Sequence, residues 1–94
     1  MKTRADERLE TCFLAEARFA GASGVVCILD ISVSGCRMKT DLKPARLGAT
    51  VVLTLAGDHY ASGEIVRRLE SECGVQFHRP LSIVVIDQIA AQLE

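Results

Sequence analysis

At 94 residues the chain has material for one domain with a single small core, and not for two. With 11 Lys and Arg against 12 Asp and Glu, its net charge of -1 gives no case for a nucleic-acid-binding or membrane-surface protein. It is 49% hydrophobic but only 4% aromatic, so the core rests on Val, Ile, Leu and Ala, and a large catalytic cleft is not expected.

The first ten residues, MKTRADERLE, are highly charged and carry Arg4 and Arg8. No apolar stripe holds them to a core, so residues 1–10 read as a mobile arm ahead of a domain over residues 11–94. The arm lacks the apolar stretch of a signal peptide, and no later run is long enough to span a bilayer. The expectation is a cytoplasmic protein with no membrane insertion.

TCFLAEARFA places Phe13, Ala15, Ala17 and Phe19 on one face, with Glu16 and Arg18 on the other, a period-two strand. GASG supplies a hairpin-type connection. VVCILDIS is continuously apolar, which fits burial on both faces or a barrel interior. GCRMKT resumes alternation, with Cys36 and Met38 opposite Arg37 and Lys39. DLKPARLGA rounds a corner through Pro44 and Gly48. TVVLTLA is a further apolar strand, GDHY a turn, ASGEIVRRLES an alternating segment and CGVQFH a last strand.

From Pro80 the pattern changes: Ile83, Ile86, Ile89, Ala90 and Leu93 recur at three- and four-residue steps. They predict a C-terminal helix over about residues 80–94, although the β-branched SIVVI also suits a strand. Five or six short strands and one helix fit a small antiparallel barrel, whose closure hides strand edges.

Little in the chain suggests catalysis or metal binding. His59 and His78 lie in a turn and at a strand end, outside any ligand motif, and read as solvated. The cysteines at 12, 27, 36 and 73 form no C-x-x-C pair, and read as small buried hydrophobes in a reducing cytosol. No catalytic residue, metal or cofactor is expected.

Two features remain, the pair Arg4-x-x-x-Arg8 and the segment DISVSG after the second strand. A guanidinium fork suits phosphate oxygens and the O6/N7 edge of guanine. The Asp30 carboxylate accepts from guanine N1–H and N2–H, and the Ser32 hydroxyl can donate to a phosphate. Gly35 permits close backbone approach or a positive φ. The plainer alternative is a solvated charged terminus and an Asx or Ser turn. Finding both features in this order in one small β-rich chain favours a ligand having both guanine and phosphate.

The order R-x-x-x-R, then D-x-S-x-x-G between two strands, then Gly74, Val75 and Phe77 as G-V-x-F, resembles the PilZ domain family over nearly the whole chain. That resemblance implies a small six-stranded antiparallel β-barrel with a C-terminal helix, acting as a bacterial receptor for cyclic di-GMP. It places Arg4 and Arg8 on the phosphates and guanine Hoogsteen edges. Asp30, Ser32 and Gly35 then line the other side, with Gly74 a further candidate. It also implies a regulatory relay to a downstream effector protein, as monomer or homodimer. The competing reading is a PilZ-like adaptor that binds a protein partner without nucleotide.

Overall fold

The computed structural model describes residues 8–93. Six strands run in order: β1 (Leu9–Phe19), β2 (Ala22–Ile31), β3 (Gly35–Lys39), β4 (Thr50–Thr54), β5 (Tyr60–Leu69) and β6 (Glu72–Phe77). One helix, α1 (Ile83–Gln92), comes after them. The strands form a closed barrel in the order β1-β2-β3-β6-β5-β4, antiparallel throughout. β1 begins at Leu9, inside the span expected for the arm; residues 1–7, including Arg4, lie outside the described residues.

The alternation seen in the sequence sets the two faces of the wall. Ala15, Ala17 and Phe19 point inward from β1, and Cys36 and Met38 from β3, while Arg37 and Lys39 face out. β2 resolves the two possibilities left by its continuous hydrophobicity. Val26 and Ile28 fill the interior, but Val25 is 65% exposed and Cys27 and Leu29 are half-buried. A closed barrel of this size is a single wall, and α1 does not cover the outer face of β2 at Val25. The thiols divide the same way: Cys36 and Cys73 are buried, whereas Cys12 is exposed, contrary to the expectation that it is a core residue.

α1 starts later than residue 80. Ser82 is its N-cap, its hydroxyl accepting from the Val84 amide at 3.0 Å, so the β-branched run after it is helical. Val85 and Ile89 are the buried contacts of α1, with Ile86 partly buried, while Ile83 and Leu93 of the expected stripe lie toward solvent. Of the expected stripe only Ile89 is fully buried, and Val85, which lies outside that stripe, is buried beside it.

Two glycines set how closely the sheet closes on β6. A Cβ on Gly35 would lie 2.2 Å from the Val75 carbonyl oxygen, and one on Gly63 2.7 Å from that of Gln76. Gly35 therefore serves close approach; its φ is not positive. Gly24 differs, since a Cβ there would meet only Leu42 side-chain carbons, the nearest at 3.0 Å. Gly35→Ala is expected to lower stability by about 3 kcal/mol, because backbone must move, and Gly24→Ala by less than about 1 kcal/mol. Urea unfolding of the two variants and the parent measures both.

Candidate functional site

The site is built around the end of β2. A register shift between Ile28 and Asp30 brings Asp30 opposite Arg37 of β3, while Glu10 of β1 lies opposite it on the other side. Asp30 is 8% exposed, so its charge needs partners. Arg8 Nη1 donates to Oδ1 at 2.8 Å, and Arg37 Nε donates to Oδ2 at 2.9 Å. Arg37 Nη1 also reaches Glu72 Oε1 of β6 at 3.3 Å. The result is a chain of alternating charge, Arg8–Asp30–Arg37–Glu72, running from the start of β1 across β2 and β3 to β6.

Next to it, the Ser32 amide donates to the Gly35 carbonyl at 2.8 Å and closes the β2–β3 turn. The Ser32 side chain is almost wholly buried in that turn: its hydroxyl lies 3.2 Å from Ser34 Oγ and 3.4 Å from the Gly35 carbonyl. Ser34 is exposed. Two further bonds fix the turn: Phe77 N donates to Ser34 O at 2.9 Å, and Leu81 N donates to Val33 O at 2.7 Å. The end of β6 and the segment leading to α1 are thus both fastened to it.

Of the residues singled out in the sequence, Arg8 and Asp30 are in contact, and Ser32 and Gly35 form the adjoining turn. Gly74 lies farther along the same outer face, opposite Arg37. Arg37 and Glu72 belong to neither motif. In the sequence they are two outward charges of alternating strands, and only the β2–β3 and β3–β6 registers bring them to Asp30.

The PilZ domain model matches residues 2–94. The chain belongs to the PilZ family. In fold, this PilZ domain is similar to the crystal structure of the Borreliella burgdorferi PlzA protein in complex with c-di-GMP, with a TM-score of 0.70 and 14% identity. The match covers 98% of this chain and 41% of that one. No curated protein matches the chain. Among the described residues, no group of three or more His, Cys, Asp or Glu is placed to hold a metal ion. No helix among them is long and apolar enough to cross a membrane.

The inner side of the site also has a distinct chemistry. Burial, reinforced by the Asp30 charge, pushes the Cys36 thiol up to about 12 from an ordinary 9.0, with Arg8 opposing. Cys27 is raised as well, by burial and then by the neighbouring Cys12 thiol. The folded PilZ domain holds Cys36 neutral where the unfolded chain would ionise it. Its stabilising effect is complete below pH 9.0 and is lost as pH rises toward about 12. Over that window the fold is expected to lose about 1.4 kcal/mol per pH unit from this group. Chemical unfolding as a function of pH, in the parent and in Cys36→Ala, checks it: the variant should show a shallower alkaline decline.

Proposed function

We propose that this PilZ domain is a cytoplasmic bacterial receptor for cyclic di-GMP that acts without catalysis and relays binding to an effector protein. The observation that carries the reading is the convergence of Arg8 and Arg37 on Asp30, beside the Ser32–Gly35 turn, in a chain of this family. The ligand named with the PlzA structure supports it.

Cyclic di-GMP offers two phosphates and two guanines. Arg8, together with Arg4, supplies forked donors for phosphate oxygens and the guanine O6/N7 edge. Both Asp30 oxygens are already occupied by arginines, so binding is an exchange of partners. As Arg8 turns to a phosphate, Oδ1 is released to accept from guanine N1–H and N2–H. The charge buried at Asp30 is never left bare, because Arg37 still holds Oδ2. The exposed Ser34 hydroxyl adds a donor at the rim, and the buried Ser32 hydroxyl holds Ser34 and the turn in place.

The relay runs through the turn. A ligand seated against residues 32–35 bears on Val33, whose carbonyl holds Leu81, and thereby on the start of α1. The exposed side of α1, including Val84, is the surface offered to an effector. This is a switch of the kind in which charge pairing orders a segment and alters a docking face.

Titration calorimetry is expected to detect cyclic di-GMP and not GTP, with affinity falling as salt rises. Arg8→Ala should weaken binding by roughly 1.5–3 kcal/mol, the worth of a charge-assisted hydrogen bond. Equal affinity in parent and Arg8→Ala would overturn the assignment of the site.

A further inference from the structure

The four cysteines fall into two pairs of opposite accessibility. Cys36 and Cys73 lie inside the barrel, 2% and 1% exposed, out of reach of a solute. Cys12 is exposed and Cys27 half-buried, both on the outer wall, on the neighbouring strands β1 and β2.

In a regular ladder this second pair would not meet. Cys27 lies opposite Leu14, so Cys12 is diagonal to it. Such diagonal positions stand about 7–8 Å apart at Cα, beyond the usual span of a disulfide. The β1–β2 register slips at this point: Glu10 faces Asp30 and Phe13 faces Ile28, so Thr11 and Cys12 together lie against Leu29 alone. That is a β-bulge, which bends and twists its strand. Thr11 fixes it, its hydroxyl donating to the Ile28 carbonyl at 2.6 Å. Across the bulge the Cys12 and Cys27 thiols share a hydrogen bond.

We infer that Cys12 and Cys27 form a redox modification site, which exchanges with a low-molecular-weight disulfide of the glutathione class to give a disulfide across the bulge. Cys12, the accessible member, attacks first: its thiolate bonds to one sulfur of the small disulfide, whose S–S bond breaks and releases a small thiolate. Cys27 loses its proton to water and attacks the Cys12 sulfur, and the second small thiolate leaves. Each departing thiolate takes up a proton. Two cysteine thiols are thereby oxidised and one small disulfide is reduced to two thiols. An excess of the small thiol reverses both steps.

The surroundings favour this order. Burial holds Cys27 protonated, reinforced by the Cys12 thiol and opposed by Lys39, which lies opposite Cys27 on β3. Once Cys12 is in a mixed disulfide it carries no charge, and Lys39 then favours the Cys27 thiolate. The link would also form in the strand that follows directly from Arg8, the partner of Asp30.

The test is non-reducing peptide mass spectrometry of the folded chain after incubation with oxidised glutathione, on the parent and on Cys27→Ser. In the parent the expected product is a Cys12–Cys27 link that excess reduced glutathione removes, with no lasting glutathione on Cys12. In Cys27→Ser, where no second thiol displaces it, glutathione should stay on Cys12. Cys36 and Cys73 should remain unmodified in both, as their burial requires. Glutathione retained on Cys12 in the parent as in the variant overturns the site. So does a parent in which Cys12 joins only Cys12 of a second chain, or in which Cys12 does not react.

Discussion

β6 runs through a gap that only glycine keeps open on both sides. Gly35 from β3 and Gly63 from β5 let their strands approach the Val75–Gln76 backbone more closely than any Cβ permits. The β3–β6 pairing is also the one that joins strands far apart in the chain on that side of the barrel. Its tightness determines where the β2–β3 turn sits, because Gly35 is the last residue of that turn and Gln76 lies opposite it. Loosening it would disturb the barrel seam and the position of Asp30 together.

Electrostatics then takes over from sterics. A carboxylate as buried as Asp30 is costly unless both oxygens are engaged, and here each accepts from a different arginine. Both arginine side chains are 52% exposed, so the pairs are screened, and their contribution is more to position than to stability. Two partners on one carboxylate also make the site exchangeable. In the proposed exchange, one arginine leaves for the ligand while the other keeps Asp30 compensated. A single buried pair lacks that freedom.

The barrel was legible in the sequence because strand alternation and turn residues are local signals. Ala15, Ala17 and Phe19, and Cys36 with Met38, face as their periods require. Nothing set by register was legible in the same way. Arg37, Glu72 and Arg67 look like ordinary outward charges until the two shifts, at Ile28/Asp30 and Ile65/Arg67, align them with Asp30 and Gly74. The apolar β2 run could not reveal that Val25 stays uncovered, since that depends on where α1 packs. At Ser32 the turn reading describes the residue: its hydroxyl bonds within the turn, and the turn itself borders Asp30.

The same turn is the route that the proposed relay would take through a small barrel with a packed interior. The interior has nowhere to move: Ile28, Ile31, Met38 and Ile65 are fully buried, and close packing resists gradual deformation. The turn instead holds the end of β6 and the lead into α1 through two carbonyls, Ser34 O accepting from Phe77 N and Val33 O from Leu81 N. Those bonds lie just outside the core, between the Asp30 face and the helix. On the proposed receptor reading, a ligand that draws Arg8 from Asp30 and presses on residues 32–35 would shift the lead into α1 without repacking the barrel. The helix is held by few buried side chains, chiefly Val85 and Ile89. In this architecture the stiff barrel positions Asp30 and its turn, and the lightly fastened helix is the element that the proposed relay would move.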